Sequence, residues 1–388
     1  MPDPLLIVTI DQLPAWILPA YGATWVSMPA VTGLAARGVV FDGLVATSDD
    51  PRTTAEALVS WLADLPPGAV AVVVDDPGMA EVVPAGEITV VPVVASESTA
   101  ADEPATNLGR LFAAATAVAA ERRHRVVWCH ASSLGLSWDA PEELREAYLD
   151  PDDPPPPPGA AVADVVVTPA TDPDLVVGLR HVFAAQLTLL DRCLRRLVDR
   201  VGTTGGAMLV GLRGMPLGLH GRVGPGASPP FGERVYLPAV VVDATKRMAG
   251  QRYAGLVTPA DLGCTLAALH GHCPQPACDR EGPERGRSLA GLFEAWRADA
   301  RDLVITSGTA GCAVTTPGWR LVVAAADGDH PPSLRLFARP DDFLERCDVA
   351  DRSTSVCDEL AVFAEAVGQG RMAEAWATPL SAAAMRSS

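Results

Sequence analysis

Basic charge is short in this chain: 30 Lys and Arg face 47 Asp and Glu, for a net charge of −17 over 388 residues. A surface of that sign repels nucleic acid and anionic lipid. No basic stripe interrupts it, so no nucleic acid and no membrane is expected as a partner. Long apolar runs are missing too, since none approaches the ~20 residues needed to span a bilayer. The opening MPDPLLIVTI has neither a basic n-region nor a cleavage site and runs straight into a strand, which predicts a cytoplasmic protein. There is no P-loop, and GTTGGA at 202–207 lacks the preceding strand that a dinucleotide fingerprint requires. The eight cysteines are scattered rather than framed like a disulfide scaffold, and in a cytoplasmic chain they read as free thiols.

What is present is an ordinary globular composition, 48% hydrophobic and 20% charged. The short run Leu5 to Ile10 reads as a central strand of a parallel sheet, covered on both faces. It ends on Asp11, and ligand crevices of open α/β sheets lie just beyond the carboxyl ends of strands. Asp11 is therefore the first candidate ligand or catalytic group, against the simpler reading of a strand-end turn.

Strands are also expected at 69–74, 88–94, 125–130, 207–212 and 238–244, and helices at 29–37, 54–63, 107–121, 173–201 and 259–270. Phe183, Leu187, Leu190, Leu194, Leu197 and Val201 recur every three or four residues and give the longest helix one apolar face. The DPDDPPPPPG run at 150–159 reads as extended surface chain. From about residue 301 the period changes to short strands separated by Gly, Asp and Pro turns, an antiparallel meander, with a last helix near 355–368. These patterns predict an α/β domain with a mostly parallel central sheet between helices over 1–300. A small antiparallel sheet plus helix follows over 301–388.

The order of the segments resembles a sulfatase, a member of the alkaline phosphatase superfamily. LLIVTIDQLPAWILPAYG is similar to the family's opening strand, metal-binding Asp and Tyr-Gly, and PAVTGLAARGVVF to its "P-N-L-x-x-L-A-A-R-G-V-x-F". WCHASSLGLSWDAPEELREAYLDPDDPPPPP resembles the central strand with its Pro-rich continuation. GAMLVGLRGMPLGLHGRVG resembles the strand and loop carrying the second half of the metal site. TPADLGCTLAALHG and CAVTTPGWRLVV resemble later family segments in the right order. The resemblance implies metal-dependent hydrolysis of sulfate esters. That reaction uses Ca²⁺ or a similar divalent cation held by hard oxygen ligands, a nucleophile from "C-x-P-S-R", and basic side chains to stabilise developing charge.

Carried over residue by residue, most of that machinery is missing. Asp11 and Gln12 match the first metal positions, as a vestigial pair. Pro51 stands where the nucleophile belongs and Ala55 where the Arg belongs, so conversion of a loop cysteine is excluded. Thr53 and Thr54 could serve as hydroxyl nucleophiles with Arg52 as the cation, or cap the following helix. Where the family has "S-D-H-G" or "S-D-N-G", this chain has Gly211-Leu212-Arg213-Gly214. Leu212 cannot ligate, and Arg213 puts positive charge at a ligand position. His130 and His220 persist, while Ser133, Gly135 and the Asp75-Asp76 pair replace other active-site groups.

The expectation is therefore a degenerate site, catalytically inactive by residue content, in which Arg213 pairs with Asp11 in place of a cation and no cofactor is needed. A binding or scaffold role leads, with an unknown small anion or a protein as partner. Two alternatives stay open. One is an active sulfate or phosphate ester hydrolase with relocated groups (Asp11, Asp50, Arg52, Thr53, His130, His220). The other is a metal-free anion binder through Arg52, Arg213 and His220. Asp49, Asp50, Asp75 and Asp76 read as solvated turn residues. The His270 to Cys278 loop carries metal-like residue types without the spacing of a zinc site.

Overall fold

The run Leu5–Ile10 forms β1, six residues all buried. It is the hub of the computed structural model, which describes residues 3–272, 285–326, 332–368 and 379–387. After β1 come α1 (Pro29–Arg37), β2 (Val39–Leu44), α2 (Pro51–Val59), β3 (Val70–Val74), α3 (Pro77–Ala80) and β4 (Glu87–Val90). The next stretch holds α4 (Asn107–Ala120), β5 (Val126–Ala131), α5 (Glu142–Glu146), β6 (Val165–Val166) and α6 (Pro173–Val201). Then follow β7 (Ala207–Gly211), β8 (Arg222–Val223), α7 (Gly232–Val235), β9 (Ala239–Val242), β10 (Gln251–Val257), α8 (Pro259–Leu269) and α9 (Ala290–Ala295). The chain continues through β11 (Val304–Gly308), β12 (Gly311–Thr315), β13 (Trp319–Ala324), β14 (Ser333–Ala338) and α10 (Thr354–Gly368).

Eight strands make one sheet in the order β10-β2-β9-β7-β1-β5-β3-β4. β1 is parallel to both neighbours, pairing Thr9 with His130 on β5 and Ile10 with Gly211 on β7. β3 is parallel to β5 and β4, while β9 runs antiparallel to β7 and to β2. The expected mostly parallel sheet is present, and so is the meander: β11 to β14 form a separate four-stranded antiparallel sheet.

By internal contacts the chain divides into two units built from non-adjacent stretches. Residues 1–40, 62–225 and 238–252 form the first, and 41–61, 226–237 and 253–388 the second. In the first, the apolar side chains of β1, β5 and β7 pack with α4 and α6 in one core. Phe183, Leu187, Leu190, Leu194, Leu197 and Val201 are all buried there, as the helical period requires. In the second, Trp319, Leu321 and Leu336 of the small sheet meet Val356, Leu360 and Phe363 of α10. No helix among the described residues is long and apolar enough to cross a membrane.

Three local expectations need correction. α2 begins at Pro51, three residues before the predicted start, because Asp50 caps it and proline is favoured in a first turn. The 88–94 strand is only Glu87–Val90, ending before Pro92, which has no N–H to give a ladder. Cys264 is disulfide-bonded rather than free; spacing along the chain does not reveal which cysteines meet in space. Cys129, Cys193, Cys312, Cys347 and Cys357 are free thiols. Cys273 and Cys278, and with them the metal-like part of the 270–278 loop, lie outside the described residues.

Candidate functional site

The parallel register that sets Ile10 beside Gly211 continues past the strand ends. Leu212 N donates to the Ile10 carbonyl at 2.9 Å, and Leu13 N donates to the Arg213 carbonyl at 2.8 Å. These bonds bring Arg213 level with Asp11 and Gln12. The guanidinium then closes on the carboxylate in a fork: Nε donates to Oδ1 at 3.2 Å and Nη2 to Oδ2 at 2.8 Å. The side chains keep 19% (Arg213) and 7% (Asp11) of their surface, so the pair is largely withdrawn from water. Two parallel charge-assisted bonds fix both direction and distance.

Gln12 completes the knot. Its φ of 61° is a left-handed conformation that non-glycine residues rarely adopt, held here by packing. With its amide oxygen turned to the guanidinium, it accepts from Arg213 Nε at 3.0 Å and Nη2 at 2.9 Å. Its nitrogen then donates to the Gly214 carbonyl at 3.1 Å. Gly135 lies against it: a Cβ at 135 would come within 3.0 Å of Gln12 Cγ. Leu212, the neighbour of Arg213, is fully buried.

These residues do not fit a divalent cation. Both Asp11 oxygens and the Gln12 oxygen face Arg213, and the adjacent ligand position is an apolar side chain. Two unit charges of one sign ~4 Å apart at an effective dielectric near 20 repel by about 4 kcal/mol, and a divalent ion doubles that. Among the described residues no three His, Cys, Asp or Glu side chains are grouped as a ligand set.

His130 sits one strand over, directly opposite Thr9, and none of its surface is exposed. Trp128 Nε1 donates to Thr9 Oγ1 at 2.9 Å, and Thr9 Oγ1 lies 2.8 Å from His130 Nδ1. Indole N–H is only a donor, so the Thr9 hydroxyl proton is free to point at Nδ1, which accepts it. The imidazole proton is then on Nε2, 3.3 Å from Ser132 Oγ, and that hydroxyl donates to Asp75 Oδ1 at 2.8 Å. Burial pushes the His130 pKa below its ordinary value, overriding the opposing pull of Asp75, Asp11 and Asp76. The ring is a neutral core group with both nitrogens engaged and no edge for a substrate from solvent.

Asp75 is not the solvated turn residue expected. It is 4% exposed and accepts from the backbone N–H of Ser132 (2.7 Å) and of Ser133 (3.0 Å), closing the turn after β5. Asp76 caps α3 through Gly78 N at 2.8 Å. His220 lies half-buried on the loop before β8. Sequence reasoning missed Thr9, Trp128 and Ser132; the available signal was a lone polar residue in each of two apolar strand runs.

In the second unit, Asp50 rather than either threonine caps α2. Its carboxylate accepts from Arg52 N at 3.2 Å, Thr53 N at 3.1 Å and Thr53 Oγ1 at 2.7 Å. The Thr53 hydroxyl thus gives its proton to a carboxylate one turn away. Thr54, 2% exposed, donates to the Asp50 carbonyl at 3.2 Å. Arg52 pairs with Glu56 at 3.1 Å on an exposed face, and Pro51 is the first residue of α2. Asp49, expected as a solvated turn, is 7% exposed and accepts from Thr309 N and Oγ1 at 3.0 and 3.1 Å.

The arrangement of strands and helices matches solved structures over nearly the whole chain. A phosphonate monoester hydrolase of Agrobacterium radiobacter is similar with a TM-score of 0.72 at 14% identity, covering 96% of each chain. One from Silicibacter pomeroyi gives 0.69 at 14% identity, over 96% of this chain and 95% of that one. A 2-O GAG sulfatase gives 0.68 at 14% identity, over 98% and 95%. No protein-family model matches the sequence, and no curated protein does. At that identity the likeness is one of fold. The chain shares its architecture with phosphonate monoester hydrolases and a sulfatase.

Proposed function

We propose that this protein is a non-hydrolytic sulfatase-fold protein whose role is binding, with Arg213 standing where the family's cation would act. One observation carries the reading: the fork of Arg213 on both Asp11 oxygens. The absence of any Cys or Ser at Pro51, the apolar Leu212 and the buried, doubly bonded His130 support it. Fold alone does not supply a reaction when the site residues differ. The test is an assay on aryl sulfate, aryl phosphate and a phosphonate monoester with Ca²⁺, Mn²⁺ or Zn²⁺ added. No turnover above the uncatalysed rate is expected. Turnover that disappears in Thr53→Ala or Asp11→Ala would overturn the proposal in favour of an ester hydrolase with relocated groups.

A second reading, capture of a small sulfate- or phosphate-like anion without metal, is favoured by one feature of Arg213. Nε and Nη2 bond Asp11, while Nη1 meets no acceptor among the described residues on a side chain still 19% exposed. Millimolar sulfate should then raise the melting temperature of the wild type and leave that of Arg213→Gln unmoved.

A further inference from the structure

Away from Asp11, in the same unit, α4 and α6 flank a trough of about 420 Å³, open to solvent along Ala113 and Ala117. That volume falls in the range of small-molecule sites. Its origin is in the sequence of α4. Apart from Phe112, the residues that α4 turns toward it are Gly109, Ala113, Thr116, Ala117 and Ala120, too short to fill the space between two helices. Phe112 and Cys193, each 2% exposed, form an apolar floor. The rim is cationic: Arg196 and Arg200 stand about one turn apart on α6.

The two arginines differ in their partners. Arg196 Nη1 is held by Glu103 at 2.9 Å, and the nearby Arg195 pairs with Asp199 at 3.5 Å. Arg200 forms no ion pair among the described residues. A basic residue in the last turn of a helix complements the helix dipole, which accounts for a charge there. It does not account for a hollow beside it. On a chain of net charge −17, an apolar trough with an uncompensated guanidinium at its mouth selects a ligand with an apolar body and one negative end.

We infer that this trough binds an unbranched medium-chain carboxylate, its hydrocarbon tail on Phe112 and the alanine wall and its carboxylate on Arg200. The occupant is a free fatty carboxylate, and the probe is decanoate.

The test is calorimetric titration of the full chain with octanoate, nonanoate and decanoate. Each added methylene should tighten binding about fourfold, the ratio that burying one CH₂ gives. Arg200→Gln, and separately decan-1-ol in place of decanoate, should each weaken binding by about tenfold, the loss of one charge-assisted contact. Ala117→Trp puts an indole into the trough from an exposed position and should abolish binding with an unchanged melting curve. Ala113→Leu repeats that arm if the indole unfolds the chain. Affinity indifferent to chain length, undiminished in the filled variant, or equal for decanoate and decan-1-ol would overturn the inference. So would sedimentation showing a dimer that Ala117→Trp dissociates, since the trough would then be filled by a second copy.

Discussion

Arg213 and Asp11 hold each other in a place where either alone would be costly. Breaking a buried pair by removing one partner leaves the other charge unsolvated, a loss of about 3 kcal/mol or more, whereas removing both can be nearly neutral. Arg213→Gln should therefore lower the unfolding free energy measured in urea by that order, while Asp11→Asn combined with Arg213→Gln loses clearly less than the sum of those two singles. A double-mutant cycle measures the difference, and additivity within about 0.5 kcal/mol would show that the fork contributes nothing. His130 gives a second residue-scale outcome. Its folded pKa lies below the unfolded one, so between the two the unfolded chain binds more protons, and stability falls as pH falls. The fall should begin near pH ~6.5, where an ordinary histidine titrates, with a slope of at most about 1.4 kcal/mol per pH unit. Urea midpoints from pH 8 to 5 should show it in the wild type and a flatter profile in His130→Gln.

At the scale of elements, sequence pattern carried furthest where one face is apolar and the ends are marked. α6 runs Pro173–Val201, the predicted bounds, because its heptad-like apolar face starts after Asp172 and proline and ends at Gly202. α2 was legible as a helix but not in its start, since Pro51, Arg52 and Thr53 look like turn residues until Asp50 is seen as their cap. Asp50→Ala should cost about 1 kcal/mol, the ordinary value of an N-cap, and Thr53→Ala less. Chemical denaturation of the two variants checks the ranking, and an equal or greater loss in Thr53→Ala would show the cap misassigned. The Asp11–Arg213 fork was legible because the segment order placed two strand ends side by side. The Trp128–Thr9–His130–Ser132–Asp75 chain was not. It depends on Thr9 facing His130, a register between residues 121 apart that no local pattern encodes.

For the whole molecule, the segment order was enough for the architecture: a mostly parallel sheet and a later antiparallel one, shared with enzymes only 14% identical. It was not enough for the interleaving of the two units, because residues 41–61 and 226–237 join the second unit from within the first one's sequence. The fork has one more consequence. The occupancy of a bound ion follows mass action, so stability that depends on it rises and falls with the ion's concentration. A guanidinium carried on the chain has no dissociation constant. Chelators cannot strip it, and calcium cannot compete for a seat it never leaves. The melting temperature of the wild type should accordingly be the same in EDTA and in millimolar Ca²⁺, while Arg213→Ala, with its carboxylate uncovered, should melt higher with calcium than without. The positive charge at these strand ends is inherited with the polypeptide rather than gathered from the medium, and it is there from the moment the strands pair.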